Sequence, residues 1–151
     1  MPKKDIKNNK DYIFAVGRRR EAIARVRLYT GSKKAKVFDQ EVDKGSFIVN
    51  GKDVHEYFRL SYYKPVIEKI FRDTDTAGKF IFSAKVQGGG VASQIDAVLL
   101  GVARALEKHD TDKYRPILKA EGYLTRDPRV RERRKVGTGG KARRKKQSPK
   151  R

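Results

Sequence analysis

Lys79 to Lys108 reads KFIFSAKVQGGGVASQIDAVLLGVARALEK. Over Lys79–Gln87 the residues Phe80, Phe82, Ala84 and Val86 alternate with their neighbours, which places them on one face of a strand. Gly88-Gly89-Gly90 ends that pattern. From about residue 91 to 108, Val91, Ile95, Val98, Leu99, Val102 and Leu106 recur at spacings of three and four, the period of a helix with one apolar face. Ser93 stands where a side chain would cap the first turn. Ala97, Gly101 and Ala105 are small, so the helix is expected to lie close against a sheet.

Upstream, Tyr12–Val16 reads as a buried strand stopped by Gly17, and Gly17-Arg18-Arg19-Arg20-Glu21 as a basic turn. Ile23, Val26, Leu28 and Tyr29, with Arg25 and Arg27 interleaved, predict a second strand with a wet, positive face. Residues 31–34 form a hairpin-like turn, Ala35–Val42 a short strand, and Phe47–Val49 another, closed by the turn pair Asn50-Gly51. Asp53–Leu60 and Tyr62–Phe71 predict helices, the second burying Val66, Ile67, Ile70 and Phe71. Downstream, Asp110 or Asp112 caps a last helix that Gly122 ends. Strands pair first and a strand-then-helix follows, which makes the fold class α+β, a mixed sheet with packed helices.

The last stretch, Arg126–Arg151, has a different character. It carries 13 Lys or Arg against only Asp127 and Glu132, more than half of the chain's net charge of +20. With Val130 and Val136 as its only larger apolar residues it lacks a core of its own, and a polyanion is what such a segment needs. Fully extended it spans about 85 Å, against a radius of gyration of about 14 Å for a body of the remaining length. The expected organisation is a loose lead-in over 1–11, a globular body over 12–125 and an extended basic tail over 126–151. The body is basic as well, with 25 Lys or Arg against 16 Asp or Glu.

The chain has no cysteine, which excludes disulfides, thiolate metal sites and a cysteine nucleophile. No apolar run is long enough to span a bilayer, and Met1–Asp5 lacks an apolar signal region, so a cytoplasmic location in a bacterial-type cell is expected, with an organellar origin left open. Gly88, Gly89 and Gly90 fit either a tight turn or a phosphate contact at a helix N-terminus; no Gly-Lys-Ser or Gly-Lys-Thr follows, so they are not a P-loop. Arg18, Arg19, Arg20 and Arg25, with Arg27, read as phosphate ligands on the body, the alternative being a strand edge protected by charge. The Asp73-x-Asp75 pair opens like a calcium loop, but Ala77 and Ala84 stand at its fifth and twelfth positions. His55 and His109 have no catalytic partners at a recognisable spacing. No enzyme activity, metal, cofactor, membrane or small-molecule substrate is expected.

Taken in order, several segments resemble one family, small-subunit ribosomal protein nine in its bacterial form. They are Gly17–Val26, Ile48–Gly51 with Tyr57-Phe58, Gly88–Gly90 with Ala103–Leu106, Leu124–Arg129 continuing to Glu132–Lys135, and Lys141–Arg144 with Lys150-Arg151. The resemblance implies a fold like the second domain of ribosomal protein five, with helices on one side of the sheet and a left-handed βαβ crossover. It implies a non-enzymatic constituent of the small-subunit head, bound to 16S-type rRNA and neighbouring head proteins. The implied rRNA-binding residues include Arg126, Arg129, Arg131, Arg133, Arg134, Lys135, Lys141, Arg143, Arg144, Lys145 and Lys146. The tail would thread toward the peptidyl site, where Lys150 and Arg151 would contact the tRNA anticodon stem-loop. The family usually ends Gln-Phe-Ser-Lys-Arg, whereas this chain ends Gln147-Ser148-Pro149-Lys150-Arg151 and lacks the aromatic.

Overall fold

The structure is a computed structural model that describes residues 12–133 apart from 32, 33 and 39. Its elements in order are β1 (Tyr12–Arg19), β2 (Ala22–Tyr29), β3 (Lys34–Val37), β4 (Gln40–Asp43), β5 (Phe47–Val49), β6 (Lys52–Asp53), α1 (Val54–Tyr57), α2 (Tyr63–Asp73), β7 (Ile81–Gln87), α3 (Val91–His109) and α4 (Thr111–Ala120). Five strands form one sheet in the order β1-β2-β7-β5-β6, and β3-β4 form a separate hairpin. β5 and β7 are parallel, joined through α1 and α2; the other pairs are antiparallel. The fold is thus α+β with a mixed sheet, as the sequence predicts.

β7 sits mid-sheet because its two faces are both apolar where they need to be. Phe82, Ala84 and Val86 meet the helices in a core with Val26, Leu28, Val98, Val102 and Leu106. Ile81, on the other face, is buried with Tyr29, Val37, Val42 and Ile48 beneath the β3-β4 hairpin. The hairpin also corrects the reading of Ala35–Val42 as one strand: Phe38 has φ +48, and the chain turns there.

Gly17 does not stop β1, which runs on through Arg18 and Arg19. A Cβ at Gly17 would lie 1.8 Å from the Ala97 carbonyl oxygen and 2.6 Å from the Gly101 nitrogen. The glycine is there so that α3 can lie against the strand backbone. Two smaller corrections follow from packing. Val66 is exposed, and the buried stripe of α2 is Tyr63, Ile67 and Ile70, with Phe71 partly covered. Ser93 does not cap α3; its N-cap is Gly90, in extended backbone with no side-chain hydrogen bond. Asp110 does cap α4, its side chain accepting from the Lys113 N–H at 3.0 Å.

Cross-strand partners share a sheet face. The face away from α3 therefore presents Tyr12, Phe14, Val16 and Arg18 of β1, Ile23, Arg25, Arg27 and Tyr29 of β2, and Ile81, Ser83, Lys85 and Gln87 of β7. The hairpin packs on Tyr12, Tyr29 and Ile81 at one end, while Arg18, Arg25, Arg27, Lys85 and Gln87 at the other remain exposed.

Candidate nucleic-acid interface

The basic extension leaves the body at an anchored point. Beyond α4, Tyr123 and Leu124 pack against the main core. The Tyr123 hydroxyl donates to Asp73 at 3.1 Å, and burial together with that carboxylate pushes the phenol up to about 12. Lys69 and Glu121 pair at 2.8 Å beside them.

Asp127 then folds its carboxylate back onto the chain. It accepts from the Arg129 guanidinium at 2.5 to 3.0 Å and from the Arg129 backbone N–H at 2.9 Å. Those bonds, with Arg19 nearby, hold the carboxyl well below the usual carboxylate range. Arg19 completes the anchorage from β1. Its guanidinium lies 3.0 Å from Asp127, 3.4 Å from Asp96 of α3, and donates to the Arg129 carbonyl at 3.1 Å. A shallow cavity of about 330 Å³ beside it is lined by Arg18, Arg19, Asp96, Leu99, Tyr123 and Asp127, among others.

Three of the four arginines predicted on the body, Arg18, Arg20 and Arg25, are exposed. Arg19 differs: its side chain is 13% exposed and faces protein carboxylates. Arg126, Arg129, Arg131 and Arg133 are exposed, Arg129 being engaged by Asp127. Arg134, Lys135, Lys141, Arg143, Arg144, Lys145, Lys146, Lys150 and Arg151 lie outside the described residues. Sequence reasoning missed Lys85, which register places directly beside Arg25. Only strand order reveals that neighbour.

The triple glycine is a braced turn. Gly88 and Gly89 have φ +75 and +64, and a Cβ on either would run into the β1-β2 turn, 2.4 Å from the Glu21 carbonyl oxygen and 3.1 Å from Ala22. Gln94 donates to the Gly88 carbonyl at 3.1 Å and accepts from the Tyr57 hydroxyl at 3.1 Å. Asn50 links Tyr57 to the Val86 backbone, donating to its carbonyl and accepting from its N–H. The segments Asn50-Gly51, Tyr57-Phe58 and Gly88–Gly90 thus meet in one network. Its consequence is a rigid connection between β7 and α3, with the exposed Gly90 opening the helix.

A cleft of about 650 Å³ is floored by Phe47, Phe71, Phe80 and Phe82. At its rim His55 lies 3.9 Å from Glu68. Among the described residues no group of His, Cys, Asp or Glu is arranged to hold a metal, and no helix is long and apolar enough to cross a membrane.

Fold and surface together define a basic α+β domain that carries a cationic C-terminal extension on a fixed anchorage. The chain belongs to the ribosomal protein S9/S16 family, whose sequence pattern matches residues 17–151. It is 42% identical over 123 residues to the small ribosomal subunit protein uS9 of Renibacterium salmoninarum and 41% identical over 123 residues to that of an Arthrobacter species. Each match covers 82% of this chain and 66% of the relative, just under two thirds of its length.

Proposed function

We propose that the protein is a structural, non-enzymatic constituent of the small ribosomal subunit. Its body, residues 12–125, binds 16S-type rRNA in the head beside neighbouring head proteins. Its tail, residues 126–151, reaches the peptidyl site, where Lys150 and Arg151 contact the tRNA anticodon stem-loop. The observation that carries this reading is the pairing of family membership with a net charge of +20, concentrated in an extension that starts from a braced base. Phosphate backbones are the polyanion such charge fits, through release of condensed counterions. Arginine adds a planar fork that can grip a phosphate bidentately. The same reading places the protein in the cytoplasm or in an organelle with bacterial-type ribosomes.

The test is sedimentation of tagged full-length protein from a gentle lysate, with and without ribonuclease. Cosedimentation with small subunits, abolished by the nuclease, is expected. A free small protein, or one that follows DNA, overturns the reading and favours a general nucleic-acid chaperone. For the tail, subunits carrying a chain that lacks Lys150 and Arg151 should assemble normally and hold peptidyl-site tRNA less tightly; unchanged tRNA affinity removes the tail from the proposal.

A further inference from the structure

We infer that the body docks RNA on the open half of the sheet face opposite α3, with Arg18, Arg25, Arg27 and Lys85 as the phosphate contacts; this rests on the rRNA-binding reading above. Four observations converge on it. First, the cations form a block: Arg25 and Arg27 project from the same face of β2, Lys85 is the cross-strand neighbour of Arg25, and Arg18 stands one strand over beside Ile23. Second, none of the four makes an ion pair with a carboxylate among the described residues.

Third, Arg25 and Lys85 are like charges placed directly opposite each other, an arrangement that costs a sheet stability. Edge protection does not account for it, because β2 and β7 are interior strands. An arrangement that weakens the free protein and has no structural reason is one that an anionic ligand would repay. Fourth, the patch is not purely charged. Phe14, the cross-strand neighbour of Arg27, is 42% exposed, and the Arg27 guanidinium is held 4.9 Å from the centre of the Tyr12 ring. A nucleic-acid backbone offers both phosphates and the apolar faces of sugars and bases to such a surface. Cations about 7 Å apart along one strand suit a run of phosphates rather than a single small anion.

The experiment measures binding of the full-length protein to purified 16S-type rRNA across a salt series, with random duplex DNA of equal length as competitor. The parent is compared with a sheet-face triple variant (Arg25→Gln, Arg27→Gln, Lys85→Gln) and with a helix-side control of the same charge loss (Lys64→Gln, Arg72→Gln, Lys119→Gln). The sheet-face variant should bind about tenfold to a hundredfold more weakly, and its salt slope should fall by about 2 to 3, for three lost phosphate contacts. The control should stay within about twofold of the parent, since its cations lie on the helices.

The sheet-face variant should melt no lower than the parent, which separates lost contacts from lost folding. A charge-keeping variant (Arg25→Lys, Arg27→Lys, Lys85→Arg) should retain most of the affinity. Equal losses in the sheet-face and helix-side variants, or none in the former, overturn the docking face while leaving the rRNA reading standing. A parent that binds random DNA as well as rRNA overturns that reading and this inference with it.

Discussion

Arg19 of β1 and Asp127 beyond α4 lie 3.0 Å apart, and through them the first strand of the body holds the root of the tail. The same guanidinium reaches Asp96 of α3 and the Arg129 carbonyl, so three separate parts of the chain meet on one side chain. Arg19 is therefore a positioning residue: it fixes where the extension starts. Replacing it with alanine should leave the fold intact and free the stretch around Arg129. In limited trypsin digestion, cleavage after Arg129 is expected to accelerate several-fold in Arg19→Ala, with the far-ultraviolet dichroism unchanged. An unaltered cleavage rate would show that the root is held by something else.

Asp127 makes the anchorage sensitive to acid. Its carboxyl titrates well below its ordinary value, chiefly because the Arg129 side chain hydrogen-bonds to the ionised form. A group depressed in this way contributes its full stabilisation above the ordinary aspartate value of about 4 and loses it as pH falls from there toward the folded value. The root should thus hold from neutral pH down to about pH 4 and loosen below it. Carbon-detected NMR titration of the Asp127 carboxyl measures this directly. Asp127→Asn, which removes the charge at every pH, should match Arg19→Ala in the proteolysis assay at neutral pH.

Tyr123 gives the alkaline counterpart. Its phenol is pushed up to about 12 by burial and by its bond to Asp73, so its neutral form is favoured in the folded state. That contribution is present below the ordinary phenol value of about 10 and is lost as pH rises from there through 12. Absorbance titration should show a late-ionising tyrosine that disappears in Tyr123→Phe. The same variant should lose about 0.5 to 1 kcal/mol in urea unfolding at neutral pH.

Gly17 is the tightest point between β1 and α3. In Gly17→Ala the new methyl would meet the Ala97 carbonyl 1.8 Å away, a backbone atom that can yield only if the helix moves. A cost of about 3 kcal/mol is expected in urea unfolding, from overpacking without any loss of contact. Gly31→Ala, where a Cβ would meet nothing within 4 Å, should stay within about 0.5 kcal/mol of the parent.

Much of this architecture is legible in local pattern. The alternation of Phe82, Ala84 and Val86, and the helical spacing from Ile95 to Leu106, carry strand and helix in their own periods. Asn50-Gly51 announces its turn, with φ +49 and +83. What stays hidden depends on residues distant along the chain. Gly17 looks like a strand stop until α3 is laid across it. Arg19 looks like its neighbours Arg18 and Arg20, and only the fold brings Asp96 and Asp127 to it. Lys85 sits in an apolar strand as an unremarked polar position until β7 pairs with β2 and sets it beside Arg25. Burial of Ile81 on the second face of β7 requires the β3-β4 hairpin packed over it.

The outer edge of the sheet supplies a last test. β1 is an edge strand, and such a strand offers unpaired backbone groups to any other strand that meets it. Here α3 reaches over the edge: Arg104 donates to the Val16 carbonyl at 2.8 Å and Lys108 to the Phe14 carbonyl at 2.9 Å. These cations, one helical turn apart, occupy acceptors that a second strand would use and place positive charge where it would approach. The double variant Arg104→Ala, Lys108→Ala should therefore self-associate at concentrations where the parent does so far less, as measured by analytical ultracentrifugation. Amide exchange within β1 should slow in the associated form as the edge becomes paired. The substitution also removes two charge-assisted hydrogen bonds, so about 1–2 kcal/mol of stability should be lost even where association is negligible. Unchanged self-association together with that loss would mean that Arg104 and Lys108 fasten α3 to β1 without shielding its edge.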